Sequence, residues 1–278
     1  MPLFKAPHHF HIAFMTHATQ PALFIPHGGG PCFFMDDPRG IWRGMAAYLQ
    51  SIAATLPARP RAILVISGHW ETEGFAFTGA ERPALVYDYY NFPPHTYELR
   101  YDAHGDPALA ARASALLRGA GLPATIDAER GLDHGVFIPL KVAFPDAAIP
   151  VVEMSVDLSL DPALHLAAGR ALAPLRDEGV LIVGSGMSFH NMRGYGDPRF
   201  TAPSDAFDAW LTKAVEADAE TRTAELGHWE DAPAARASHP REEHLIPLMV
   251  AAGTSDAPGQ SDYREHVLET AISGFRFS

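Results

Sequence analysis

Three apolar segments of the chain end in the same way, with glycine and histidine close together. RAILVISGHW ends at Gly68 and His69, PALFIPHGGG runs into His27 and three glycines, and VLIVGSGMSFHN passes Gly-Ser-Gly before His190. Short apolar runs rich in branched residues are typical of buried strands. Because ligands of α/β folds bind outside the carboxyl ends of strands, we expect these imidazoles at one rim of a sheet. One such histidine alone would more often be an ordinary loop residue. The repetition favours a functional site.

Segments with helical character lie between the predicted strands. Asp-Pro pairs at residues 37–38, 106–107 and 161–162 match the N-cap and first helical position of a helix. Two more helices are predicted, from Pro203 to about Leu226 and from His239-Pro240 through REEHLIPLMVAAG. FAFTG and ALVYDYY are interpreted as sheet-edge or loop segments. The alternation predicts an α/β fold, a single domain with a largely parallel central sheet flanked by helices and an active site at the carboxyl ends of the strands.

The chain has 278 residues, of which 47% are hydrophobic, and no linker divides it. We therefore expect one catalytic domain over residues 21–278, preceded by a peripheral leader over residues 1–20. The leader contains four histidines that could bind metal weakly, but a frayed segment is the more usual outcome. The leader does not resemble a signal peptide. No apolar run approaches the roughly 20 residues that span a bilayer, so no membrane partner is expected.

Charge and cysteine content exclude some classes of protein. The formal net charge is −12, and no basic stripe is visible, which argues against a nucleic-acid partner. The single cysteine, Cys32, excludes an internal disulfide and fits a reducing compartment, so a cytoplasmic location is expected. The oligomeric state stays open, with a homodimer among the options.

A fourth histidine, His244, occurs in REEHLIPL, which we place in the first turn of the last predicted helix. Glu242 and Glu243 there would complement the helix dipole. That role does not explain a histidine followed by apolar residues, which should face inward. Neutral imidazoles buried beside one another are costly unless a ligand uses their lone pairs, and a divalent metal does so. We therefore predict a mononuclear site with His27, His69 and His244 as ligands.

Two further histidines, His134 and His190, are expected close to the metal without ligating it. His134 lies in a turn between glycines just before an apolar helix. A histidine titrates near neutral pH, so His190 could take a proton from a substrate and later return one. The stretch NFPPHTYELRYDAHG is interpreted as a long loop over the site. Its aromatic side chains between Phe92 and Tyr101 would either stack on an aromatic ligand or pack among themselves.

Several blocks, taken in order, resemble one enzyme family. The blocks are PALFIPHGG, ILVISGHWET, FPPHTYELRYDAHGDPALA, GLDHGVFIPL, GSGMSFHN and HPREEHLIPL. Together they are similar to the DOPA extradiol dioxygenase branch of the class III extradiol ring-cleavage dioxygenases, over nearly the whole chain after Pro21. The resemblance implies a non-haem Fe(II) enzyme that binds a small aromatic diol, a catechol, and inserts both atoms of O2 beside the diol.

The resemblance also implies a role for each histidine. His27, His69 and His244 match the family's metal-ligand blocks, His190 matches the acid/base histidine, and His134 matches a histidine of the substrate pocket. One feature departs from the protocatechuate-cleaving relatives, which complete a triad of two histidines and a carboxylate. Three histidines with an open position are also a zinc arrangement. Zinc in a purified sample is therefore compatible with a need for iron in turnover.

Two alternatives stay open. One is a zinc-dependent hydrolase in which the metal generates hydroxide, although the sequence contains no HExxH motif. The other is a non-catalytic binding protein that retains the fold. Retention of all five histidines argues against lost chemistry. Uptake of O2 with catechols after anaerobic loading with Fe(II) distinguishes the dioxygenase from both.

Overall fold

One mixed β-sheet runs through the whole of the computed structural model, which describes residues 18–278. Its eight strands lie in the order β4-β3-β5-β2-β6-β1-β8-β7. They are β1 (Ala22–Pro26), β2 (Ala62–Thr72), β3 (Phe75–Thr78), β4 (Ala124–Asp127), β5 (Val151–Asp157), β6 (Val180–Gly186), β7 (Gln260–Val267) and β8 (Thr270–Phe277). The expected leader, with its four histidines, falls almost wholly outside the described residues.

The centre of the sheet is parallel and its margins are mixed. β5, β2, β6 and β1 are parallel neighbours, as are β3 and β4. Antiparallel pairs join β3 to β5, β1 to β8, and β7 to β8. This arrangement confirms the predicted α/β class with a largely parallel central sheet flanked by helices. β3 lies inside the sheet, however, whereas its segment FAFTG was expected at an edge or in a loop.

Helices cover both faces of the sheet because side chains of a strand alternate between faces. In β2, Ile63 and Val65 pack with the helices of one layer, whereas Leu64 and Ile66 pack in the core of the other. No helix among residues 18–278 is long and apolar enough to cross a membrane. The helices are α1 (Arg43–Thr55), α2 (Pro107–Gly119), α3 (His134–Ala143), α4 (Pro162–Leu172), α5 (Pro174–Asp177), α6 (Thr201–Val215), α7 (Ala219–Gly227), α8 (Ala235–Ser238) and α9 (Ile246–Gly253).

Three predicted helix boundaries are wrong. Asp37 accepts hydrogen bonds from the backbone N–H of Ile41 and Trp42, so it closes a turn and α1 begins only at Arg43. The helix expected from Pro203 to about Leu226 is two helices, because the carboxylate of Asp218 caps a new one. The REEH segment lies in a turn before α9 rather than in its first turn, which frees its side chains from helical spacing.

The strand that was expected to stop at Ser67-Gly68 continues to Thr72. Its register with β5 shifts between Ile66 and Glu71, which places His69 in a β-bulge. Gly68 is required there, since an ideal Cβ would lie 2.5 Å from the carbonyl oxygen of Glu243. A bulge redirects a side chain without ending the strand. His69 therefore reaches the sheet rim from within β2.

The hairpin formed by β7 and β8 was not predicted. Its two-residue turn consists of Leu268 and Glu269, both with positive φ (48° and 69°). Such turns usually contain Asn-Gly or Asp-Gly, so Leu-Glu carries no recognisable hairpin signal. The hairpin extends the sheet beyond β1 and brings Leu268 to the cavity described below.

Candidate metal centre

Five histidines converge at the carboxyl ends of the central parallel strands. His27 directly follows β1, His69 lies in the bulge of β2, and His190 follows β6 after a short loop. His134 is the first residue of α3, and His244 precedes α9. All five line one cavity. The structure thus brings together every histidine that the sequence singled out beyond the leader.

His27, His69 and His244 form the tightest group. Their ring centroids are separated by 4.9 Å (His27 to His69), 5.2 Å (His27 to His244) and 4.6 Å (His69 to His244). One nitrogen from each ring lies within 4.8 Å of the others, which is close enough for a shared metal ion. The Nε2 atoms of His69 and His244 are 3.2 Å apart.

The hydrogen bonds of these rings show which nitrogens are free to bind a metal. His27 Nδ1 donates to the carbonyl oxygen of Gly28 at 2.9 Å, and its Nε2 is buried without a hydrogen-bond partner. His244 Nδ1 donates to Glu243 Oε1 at 2.9 Å, so its Nε2 lone pair points at His69. An outer partner on Nδ1 and a free Nε2 is the usual state of a metal-bound histidine. The residues fit a divalent ion.

The protonation states agree with this fit. Burial lowers the pKa of His27 and of His244 well below the ordinary value, and the neighbouring histidines lower both further. Burial also lowers the pKa of His69, to about 4. All three rings are therefore neutral at neutral pH. Neutral imidazole is the form that binds a metal.

His134 lies against this group and is held by Asp88. Asp88 Oδ1 accepts hydrogen bonds from His134 Nδ1 at 2.8 Å and from the His134 backbone N–H at 2.9 Å. Burial alone would raise the pKa of Asp88, but the bond from His134 outweighs it and the net shift is downward. Asp88 is thus a carboxylate, and its Oδ2 is 3.6 Å from His69 Nδ1. Sequence reasoning missed Asp88, because a single acid in ALVYDYY carries no motif.

Glu243 joins His190 to His244. Its Oε1 accepts from the Nδ1 atoms of both rings, at 3.1 Å from His190 and 2.9 Å from His244, and the two rings stack with centroids 3.5 Å apart. Burial would raise the pKa of Glu243, but the hydrogen bond from His190 and nearby positive charge lower it overall. The interpretation of Glu243 as an acid that complements a helix dipole is wrong, because Glu243 lies in the turn before α9 and not in its first turn. It orients two histidines.

A buried polar network lies behind the bulge of β2. Ser67 Oγ donates to Asp133 Oδ1 at 2.9 Å and accepts from the backbone N–H of His69 at 3.2 Å. Arg130 Nη2 lies 3.0 Å from Asp133 Oδ2 and 3.4 Å from Glu153 Oε1. Burial and the charge of Asp133 raise the pKa of Glu153 well above its ordinary value. The network fixes the backbone that carries His69.

The cavity in front of the histidines has a volume of about 480 Å³. Of the aromatic residues in the 92–101 loop, Phe92 lines this cavity, whereas Tyr97 packs against Tyr89 and Tyr101 is buried. Phe92 therefore fits the expectation that this loop contacts a ligand, whereas Tyr97 and Tyr101 fit the expectation of internal packing.

Comparison with known proteins identifies the class. Residues 21–274 match the family described as the catalytic LigB subunit of aromatic ring-opening dioxygenase. The chain therefore belongs to this family of dioxygenases, which confirms the resemblance noted in the sequence and supports an oxygenase activity.

Particular relatives are similar over most of their length. Dioxygenase tasH of Hapsidospora irregularis is 41% identical, over 84% of this chain and 78% of its own. The 4,5-DOPA dioxygenase extradiol of Beta vulgaris is 39% identical (84% and 85%), and that of Escherichia coli K12 is 36% identical (87% and 88%). A crystal structure of an uncharacterized protein from Escherichia coli K12 superposes with a TM-score of 0.75 at 31% identity, over 93% of this chain and all of that one.

Proposed function

We propose that residues 21–278 form a metal-dependent extradiol dioxygenase that cleaves the ring of a catechol with O2. One divalent metal, Fe(II) in the active enzyme, would be held by His27, His69 and His244. The observation that carries the proposal is that one nitrogen of each of the three rings lies within 4.8 Å of the others. The Nε2 atom of His27 is buried without a partner, and those of His69 and His244 are 3.2 Å apart. Membership in a ring-opening dioxygenase family supports the reaction type.

A divalent ion at this position would lower the pKa of a catechol hydroxyl and hold the diol in a fixed orientation. The chain's own groups supply the proton transfers. Because His190 donates its Nδ1 proton to Glu243, its Nε2 is left as the atom that can accept a proton. The side chain is partly exposed and lines the cavity, so a bound diol would lie within its reach. His190 is the proposed acid/base.

His134 has a related arrangement next to His69 and His27. Asp88 accepts a hydrogen bond from its Nδ1, and the ring lies 4.0 Å from His69 and 5.5 Å from His27, measured between centroids. This leaves Nε2 of His134 as a hydrogen-bond acceptor for a substrate hydroxyl. We propose that His134 positions the diol, while His190 moves the proton.

Two other activities would use the same residues. In a zinc-dependent hydrolase, a glutamate would act as base, but Glu243 is engaged by two histidine rings. A non-catalytic binding protein would need neither the Glu243–His190 pair nor the Asp88–His134 pair. A cytoplasmic location, which follows only from the single cysteine, stays a prediction.

The test is reconstitution under anaerobic conditions with Fe(II) or with Zn(II), followed by exposure to O2 and a panel of catechols. We expect O2 uptake and a yellow ring-opened semialdehyde only in the iron-loaded sample. Failure of every catechol to cause O2 uptake by iron-loaded protein, combined with ester or amide hydrolysis by the zinc-loaded protein, would establish the hydrolase instead.

A further inference from the structure

The lining of the cavity consists of a polar part and an apolar part. The polar part contains the five histidines and Asp88. The apolar part consists chiefly of seven aromatic or methionine side chains, namely Trp42, Tyr89, Tyr90, Phe92, Met187, Met192 and Tyr195. Among residues 18–278, no lysine or arginine lines the cavity. A diol bound by the histidines would place its ring substituent against these apolar side chains.

The triple-glycine turn after His27 allows aromatic rings to form this apolar wall. An ideal Cβ at Gly30 would lie 2.9 Å from the Phe92 ring, and one at Gly29 would lie 3.5 Å from the Trp42 ring. The two rings therefore lie directly on glycine backbone. They bring flat apolar surface next to the loop that carries His27.

Two of the three tyrosines that line the cavity direct their hydroxyl groups to the backbone. Tyr89 donates to the carbonyl oxygen of Thr96 at 2.6 Å, and Tyr195 donates to the carbonyl oxygen of Phe189 at 2.7 Å. With their polar ends used by the backbone, both residues present mainly ring surface to the cavity. Tyr89 and Tyr195 therefore offer little hydrogen bonding to a polar substituent.

Two large side chains of the apolar part stand exposed at the cavity. Tyr90 is 79% exposed and Met192 is 72% exposed, and both are lining residues. Exposed apolar groups beside a cavity often mark a ligand-binding surface, and methionine adapts to varied ligand shapes. A substituent bound against either residue would bury apolar surface that is now exposed to water.

We propose that the substrate is a catechol with a neutral, apolar substituent, such as an alkyl or aryl group, and that Tyr90 and Met192 determine this preference. The catechol part of the inference rests on the proposed function. A carboxylate on the substituent would leave water for an apolar wall without a cationic partner, and Asp88 would repel it. A cavity of about 480 Å³ is also of the size that accepts ligands larger than catechol itself.

The test compares 4-hexylcatechol with 3-(3,4-dihydroxyphenyl)propanoate on the iron-loaded protein. Binding is measured by calorimetry without O2, and kcat/KM is measured by O2 uptake. We expect 4-hexylcatechol to be favoured by about tenfold or more in both, since one or two buried methylene groups suffice for that ratio. Equal or better binding of the carboxylate compound overturns the inference, as does failure of both compounds to bind.

Variants at the cavity test the two named residues. Tyr90→Ala and Met192→Ala should each lower the preference for 4-hexylcatechol by about threefold or more, because each removes apolar surface. Leu158→Ala is the matched control, since Leu158 is 55% exposed and does not line the cavity. An unchanged preference in both cavity variants overturns the assignment. Binding without O2 uptake by either compound would instead count against the proposed function alone.

Discussion

His27 and His244 each donate a hydrogen bond from Nδ1 to an oxygen acceptor, which leaves Nε2 free to bind a metal. The acceptors are the backbone of Gly28 and the carboxylate of Glu243. Residue type and strand position could be read from the sequence, which is why the five histidines were found. The tautomer of each ring depends on a neighbour in space, so Glu243 and Asp88 could not be assigned their partners from spacing alone.

Alanine at a ligand position should remove the metal and leave the fold. We expect His27→Ala, His69→Ala and His244→Ala each to abolish metal retention, because two remaining imidazoles hold a divalent ion poorly and the apolar sheet provides the core. Elemental analysis and circular dichroism on the same samples measure both effects. Glu242→Gln is the control and should retain metal, since Glu242 pairs with Arg236. Stoichiometric metal in any of the three alanine variants would exclude that residue as a ligand.

His190→Ala should separate metal binding from proton transfer. Because the ring bonds to Glu243 and stacks on His244, its loss leaves the three proposed ligands in place. We expect retained metal, retained catechol binding and ring cleavage slower by roughly 10²–10⁴-fold, the usual contribution of an acid/base group. Metal content and O2 consumption of one preparation decide the matter. Near-normal turnover would remove His190 from the mechanism.

At the scale of elements, apolar runs and Asp-Pro pairs in the sequence predicted most strands and helices. They did not predict the bulge in β2 or the hairpin of β7 and β8. The β2 bulge depends on the approach of the Glu243–His244 turn to Gly68, a contact between distant parts of the chain. The β7–β8 hairpin uses Leu268 and Glu269 where a glycine is usual. Both features are set by tertiary packing, which local patterns do not record.

The close approach at Gly68 gives a prediction for this element. In Gly68→Ala, the new methyl group would contact the Glu243 carbonyl and push His69 and His244 apart. We expect metal affinity to fall by about tenfold or more, the scale seen when the support of a metal ligand is disturbed. Gly119→Ala, where an added Cβ meets nothing within 4 Å, is the matched control. Equal metal affinity of the two variants would show that the bulge does not position the ligands.

At the scale of the whole molecule, buried neutral histidines make stability depend on pH. His239 is buried against Phe207 and Trp229, and its Nε2 donates to the carbonyl oxygen of Ser188 at 2.9 Å. Burial lowers its pKa to about 3, below the ordinary value of about 6.5 in an unfolded chain. At a pH between these two pKa values, His239 is protonated in the unfolded state but neutral in the folded state. The contribution to stability is thus complete above about pH 6.5 and is lost as the pH falls towards 3.

His239→Gln tests this pH dependence. Glutamine can still donate to Ser188 but does not titrate. For the wild-type protein, His239 should account for about 2 kcal/mol of the stability lost between pH 7 and pH 5. The free energy of unfolding, measured with denaturant at the two pH values, should therefore fall by about 2 kcal/mol less in the variant than in the wild-type protein. Contributions of the other histidines cancel in the comparison. The same loss in both proteins would mean that His239 is not held neutral.

The central claim is that His27, His69 and His244 bind one iron ion, which the protein needs to cleave a catechol with O2. The most direct measurement is the rate of O2 consumption with a catechol as Fe(II) is added anaerobically in steps before exposure to O2. The account predicts a rate that rises linearly and levels off at one iron per chain, with one O2 consumed for each ring cleaved. A rate that does not depend on iron, or a fully loaded protein that consumes no O2 with any catechol that it binds, would contradict it.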